Sequence, residues 1–120
     1  MSKILKEEVA ALQSIQKKIH TYNVSAGWYN KPREDGTLIA LCHSELSEAL
    51  EGLRKNLMDD HLTTRPMAEV ELADTIIRIL DFAEYKGYDV AGALEEKFEY
   101  NKQRADHKLT NREAAGGKAF

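Results

Sequence analysis

The chain has 120 residues, enough for one domain with a buried core, and its 42% hydrophobic and 31% charged residues are ordinary for a soluble globular protein. A formal net charge of −3 argues against general nucleic-acid binding, which is driven by phosphate neutralisation. No uncharged apolar run is long enough to span a membrane, so no membrane or nucleic-acid partner is expected.

Leu5, Val9, Leu12, Ile15 and Ile19 recur at three- and four-residue steps and predict a first amphipathic helix over 3–22. The same stretch, MSKILKEEVAAL, has no uncharged apolar signal core, so a cytoplasmic location is expected. Residues 23–36, NVSAGWYNKPREDG, contain Gly27, Pro32 and Gly36 and read as a loop. A second helix is predicted over 37–57, with Leu38, Cys42, Leu46, Ala49, Leu50, Leu53 and Leu57 inward. Cys42 is the single cysteine, cannot form an internal disulfide and is expected to be a small core residue.

MDDHLTTRP breaks the pattern, and Pro66 suits the start of a third helix over 67–86 that Gly87 ends. Asp89 can cap a fourth helix running to about 107. With no strand-like alternation and no repeat, the chain reads as all-α. Four principal helices form a bundle in one domain over 1–107, followed by a tail over 108–120. The third helix has a wide apolar arc: Val70, Leu72, Ala73, Ile76, Ile77, Ile79, Leu80 and Ala83. Either that helix is central, or part of the arc meets another subunit, and a homo-oligomer is expected.

Two carboxylate pairs, Glu45/Glu48 in HSELSEALEG and Glu71/Asp74 in EVELADTIIR, are each spaced i, i+3, so each projects from one helical face. Brought together by neighbouring helices they repel, on the order of 4 kcal/mol for two charges at about 4 Å and an effective dielectric of about 20. A hard divalent cation reverses the sign, and such a site points to phosphate chemistry. A wheel at 100° per residue puts Glu45 and Glu48 at the margin of the apolar face, with Gly52 leaving space beside them. Glu71, Asp74, Arg78 and Asp81 fall nearly opposite the apolar centre. Alone they resemble a solvated face with an Asp74–Arg78 surface pair.

Residues 96–120 carry six Lys/Arg against four Asp/Glu, whereas the rest of the chain is acidic. Lys97, Asn101, Arg104 and Lys108 share one helical face, a row suited to phosphate oxygens or, alternatively, to a solvated stripe paired with Glu96, Glu99 and Asp106.

Taken together, ELSE at 45–48, ELAD at 71–74 and KFEYNKQR at 97–104 resemble the MazG-like nucleotide pyrophosphohydrolases, the all-α NTP pyrophosphatase superfamily. The resemblance covers roughly residues 20–105. It implies that Glu45, Glu48, Glu71 and Asp74 are Mg²⁺ or Mn²⁺ ligands, and that Lys97 and Asn101 contact phosphate, with Arg104 extending that face. It implies hydrolysis of a nucleoside triphosphate to the monophosphate and pyrophosphate, with Glu45 or Glu48 as the catalytic base, in a homodimer or homotetramer. Some compact members of that family handle purine deoxynucleotides, so dGTP is a candidate substrate.

His20, Asn23 and Trp28 are candidates for the base or sugar. Trp28 can stack on a base and Asn23 can read its edge. Against this, Trp28 can be a loop anchor on the core, and His20 a helix C-terminal residue favoured by the dipole. The competing reading of the whole chain is a non-catalytic helical module for oligomerisation or partner binding. A di-metal redox bundle would need Glu-x-x-His pairs, which His43 and His61 do not provide.

Overall fold

Residues 2–104 are described by the computed structural model. They form α1 (Lys6–Ser25), α2 (Asp35–Lys55), α3 (Met67–Lys86) and α4 (Val90–Gln103), with no strand among them. An isolated bridge pairs Met58 with Pro66. No described helix is long and apolar enough to cross a membrane.

Two compact units are distinguished, one from Met1–Gln13 with the segment starting at Asp89, the other Ser14–Tyr88. In the first, Asp89 caps α4 by accepting from the Gly92 amide at 2.9 Å, as its position predicts. The same carboxylate accepts from Gln13 Nε2 at 3.0 Å. Lys102 donates to the Ser2 carbonyl at 2.7 Å and to Glu99 at 3.0 Å.

The second unit is built on the packing of α2 along α3. Small residues allow it: Ala49, Gly52 and Ala68 are all buried. A Cβ at Gly52 would stand 2.9 Å from Met67 Cβ and 3.1 Å from the Ala68 backbone nitrogen, so the end of α2 meets the start of α3 at a spacing only glycine allows. Asn56 ends α2 in the left-handed region at φ 52°, donating to the Gly52 and Leu53 carbonyls. Met67 N–H returns to the Leu57 carbonyl at 2.9 Å, and Asp59 N–H to that of Arg65 at 3.0 Å. The Asp59 carboxylate accepts from the His61 and Leu62 amides at 3.0 and 2.7 Å, and these bonds hold its carboxyl below the usual range. Pro66 precedes α3 and Gly87 closes it at φ 73°, both as predicted.

Leu38, Cys42 and Ala49 of α2 and Leu80 and Ala83 of α3 are buried as the helical wheel predicts, but the rest of each buried face differs from it. α3 buries Ala68, Glu71, Thr75, Leu80, Asp81 and Ala83, while Leu72 and Ile76 are 50% and 55% exposed and Ile77 and Ile79 are also open. The stripe expected to face solvent is the one turned toward α2. Along α2, Leu38, Cys42, Glu45, Ala49 and Gly52 are buried. Leu46, Leu50, Leu53 and Leu57, expected inward, are exposed. The physical reason is size. Close approach selects the faces with small residues, and those faces also carry the carboxylates.

α1 begins and ends three residues later than its periodicity predicts, so Asn23 lies on its last turn rather than in a loop. Gln16 is buried on α1 and donates to Glu84 Oε1 at 3.0 Å and to the Tyr88 carbonyl at 2.9 Å. These bonds fix the middle of α1 to the end of α3 and the residue that follows its Gly87 cap.

Candidate functional site

Where α2 passes α3, Glu45, Glu71 and Asp74 each offer a carboxylate oxygen, and these oxygens lie within 4.8 Å of one another. Glu45 and Glu71 are each only 8% exposed, and Asp74 is half-buried. Three of the four predicted ligands are thus brought together. Glu48 stands outside the trio and is exposed, yet it is near enough to act on the Glu71 carboxyl.

The cluster is electrostatically loaded. The Glu71 carboxyl is pushed up to about 8, first by hydrogen bonding with Glu45, then by burial and by Glu48. Burial works to raise Glu45 as well, but hydrogen bonds with Glu71 and Arg78 outweigh it and hold that carboxyl below its ordinary value. Burial, and then the Glu45 charge, raise Asp74. Glu71 Oε2 is buried without a hydrogen-bond partner. An orphaned buried carboxylate oxygen within an all-oxygen donor set suits a hard cation such as Mg²⁺ or Mn²⁺.

Arg78 does not form the expected surface pair with Asp74. Its Nε donates across to Glu45 Oε1 on α2 at 2.8 Å. The wheel could not show this, because it places residues around one helix and not between two.

A cleft of about 640 Å³ opens from this cluster. Glu45, Asp74 and Arg78 line it together with Asn23, Trp28 and Arg33. Trp28 is 61% exposed, so it is not the core anchor that its hydrophobicity allows. The Arg33 guanidinium lies 5.9 Å from the Trp28 ring centre and 5.8 Å from that of Tyr29. His20 lies behind the cleft rather than lining it. Its Nδ1 is 2.8 Å from Asp81 Oδ1, and the Tyr29 hydroxyl donates to Asp81 Oδ2. That carboxylate contact, rather than a helix dipole, accounts for His20. Burial, and then the Asp81 bond, raise the Tyr29 phenol. Asp81 thereby ties α1 and the following loop to α3 and holds Trp28 and Arg33 at the cleft. A second cleft, of about 460 Å³, is lined by Glu48, Glu71, Asp60 and His61 among others, so the acidic cluster borders two openings.

Lys97 and Asn101 lie on α4 and Arg104 is its C-cap, in the first unit. Lys97 Nζ sits 4.7 Å and the Arg104 guanidinium 6.0 Å from the Tyr100 ring centre. Arg104 Nη1 donates to Asn101 Oδ1 at 3.2 Å. These three residues keep one neighbourhood, as their spacing predicts. Lys108 and Asp106 lie outside the described residues.

Arg33, Arg78 and Asp81 are the functional candidates that sequence reasoning passed over. Arg78 and Asp81 were visible as members of the Glu71 stripe, but only the partner helix reveals what that stripe faces. Comparison with family models, with characterised proteins and with solved structures finds no match to this chain.

Proposed function

We propose that this protein is a metal-dependent nucleoside triphosphate pyrophosphohydrolase of the MazG-like kind. The observation that carries the reading is the Glu45–Glu71–Asp74 trio, with Glu45 and Glu71 buried and Glu71 Oε2 unpartnered, two of whose members line a cleft of about 640 Å³. That volume falls in the range of small-molecule sites, which suits a nucleotide.

Glu45, Glu71 and Asp74 would hold Mg²⁺ or Mn²⁺, with Glu48 completing the set from the exposed edge. A bound cation of this kind neutralises phosphate oxygens and makes water more acidic. Glu48 accepts the proton of the attacking water; Glu45 is the weaker base because Arg78 already engages it. The water oxygen bonds to the α-phosphorus, the anhydride bond to the β-phosphate breaks, and pyrophosphate leaves with that electron pair. Attack at the α-phosphorus is taken from the family resemblance. Trp28 stacks on the base and Asn23 reads its edge, while His20 acts by fixing Asp81. The resemblance adds phosphate contacts from Lys97, Asn101 and Arg104, and assembly as a dimer or tetramer.

A panel of dNTPs and NTPs with Mg²⁺ or Mn²⁺, analysed for monophosphate and pyrophosphate, tests the reaction and the base together, with dGTP the first to try. Glu48→Gln and Asp74→Asn should abolish turnover while circular dichroism stays unchanged. Full activity in both variants, or no hydrolysis of any nucleotide by the wild type, would sink the proposal. The open apolar residues of α2 and α3 favour a second reading, a helical partner-binding module. Mn²⁺ with a non-hydrolysable nucleotide distinguishes the two, because ligand at a hundredfold excess over Kd adds about 2.7 kcal/mol to an enzyme and nothing to such a module.

A further inference from the structure

Arg78 stands beside the carboxylate trio and carries the positive charge there, through its ion pair with Glu45. Its guanidinium is planar and has five N–H donors in a fixed fork. One of these, Nε–H, is spent on Glu45 Oε1 at 2.8 Å. No other side-chain bond of Arg78 occurs among the described residues. The side chain is 41% exposed and lines the larger cleft together with Glu45 and Asp74. Glu45, by contrast, is only 11% exposed at its side chain and is held from both sides, by Arg78 and by Glu71.

A buried carboxylate thus fixes the edge of the guanidinium that carries Nε. The two terminal NH₂ groups are left for the cleft. This is the arrangement that presents an arginine fork to a tetrahedral oxyanion, because a guanidinium pinned at Nε loses little further freedom when its terminal groups bind. If the Arg78–Glu45 contact were merely a surface ion pair, both partners would be solvated. Here the acceptor is buried, and a buried carboxylate does not release its cation into water without cost.

We propose that Arg78 is a phosphate-binding catalytic residue of the cleft. Its terminal NH₂ groups bind non-bridging oxygens of the reacting phosphoryl group or of the departing pyrophosphate, while Nε stays on Glu45. Glu45 therefore serves two functions, orienting the fork and belonging to the carboxylate trio with Glu71 and Asp74. As a hydrolytic role it rests on the nucleotide pyrophosphohydrolase reading; as an anion-binding role it does not.

The test uses the full chain with Arg78→Ala and Arg78→Lys, each checked by circular dichroism. For nucleotide hydrolysis with Mg²⁺, Arg78→Ala should lose about a hundredfold or more in kcat/KM. Arg78→Lys should recover less than a tenth of the wild-type value, because a point charge cannot replace a fork. Guanidinium ion added to Arg78→Ala should restore part of kcat. A hydrolysis rate within about threefold of wild type in Arg78→Ala would overturn the catalytic role, as would full activity in Arg78→Lys.

Calorimetry with inorganic tripolyphosphate and metal-free protein provides an arm that needs no turnover. Binding should weaken at least about tenfold in Arg78→Ala. Equal binding by wild type and Arg78→Ala would overturn the anion site. If the wild type hydrolyses no nucleotide but binds tripolyphosphate through Arg78, the hydrolase reading falls and the anion site stands.

Discussion

Glu71 keeps its proton to a pH at which a free glutamate has long been ionised, because Glu45, burial and Glu48 all oppose its charge. The consequence for stability has a definite sign. Between about 4.5 and about 8 the folded chain holds a proton at Glu71 that the unfolded chain has lost. Stability therefore falls as pH rises through that window and levels off above it. Glu45 shifts in the opposite direction, so its contribution is lost only as pH falls through its lowered folded value. In EDTA, the wild-type melting temperature should decline from about pH 5 to about pH 8, and Glu71→Gln should flatten that decline. Thermal melts across this range check it, and identical slopes for both proteins would refute the assignment. Added Mn²⁺ should restore more stability at the alkaline end, where fewer protons compete for the carboxylates.

At the scale of elements, the site depends on how closely α2 approaches α3. Gly52 permits that approach, with Met67 Cβ and the Ala68 nitrogen occupying the space a methyl group would need. In an exposed helix, alanine for glycine gains about 1 kcal/mol. Here overpacking costs about 1–3 kcal/mol, and one neighbour is backbone, which cannot swing aside. Gly52→Ala should therefore lower the urea midpoint despite its better helix propensity, and a raised midpoint would mean the helices separate freely. The loop between α1 and α2 is held by a different device. Tyr29 and His20 converge on Asp81, the Tyr85 hydroxyl donates to the Arg33 carbonyl at 3.3 Å, and Lys86 pairs with Asp35 at 2.8 Å. Three residues of α3 thus hold the loop that presents Trp28 and Arg33. Sequence periodicity gives no hint of such ties, since their partners lie 51 to 61 positions apart.

For the molecule as a whole, the open apolar residues are the main unsolved charge on stability. Leu46, Leu50 and Leu53 on α2, and Leu72, Ile76 and Ile79 on α3, are 42% exposed or more. A monomer that leaves so many aliphatic side chains in water forgoes roughly 25 cal/mol for each Å² it could bury. A second copy of the chain covering these faces would recover that energy, and this is the assembly we expect. Light scattering at micromolar concentration should give at least twice the 13.6 kDa mass of one chain. Leu53→Glu together with Ile76→Glu should return the protein to one chain's mass, whereas a wild type that scatters as a monomer would remove this expectation.

The chain's own pattern determined the elements. Apolar periodicity, Pro66, Gly87 and Asp89 placed four helices and their ends within a few residues, because capping and helical period are local properties of the backbone. It also grouped Glu45, Glu48, Glu71 and Asp74, of which the fold brings Glu45, Glu71 and Asp74 together and leaves Glu48 at the edge. What the pattern misplaced was orientation. It turned Glu71, Asp74 and Asp81 toward solvent and Leu50 and Leu53 toward the core, and the fold does the reverse. A helical wheel ranks faces by hydrophobicity, whereas the approach of two helices ranks them by size. Only the tertiary structure could decide that small residues and carboxylates share the seam, that Arg78 reaches across it to Glu45, and that Asn23, Trp28 and Arg33 border the same cleft.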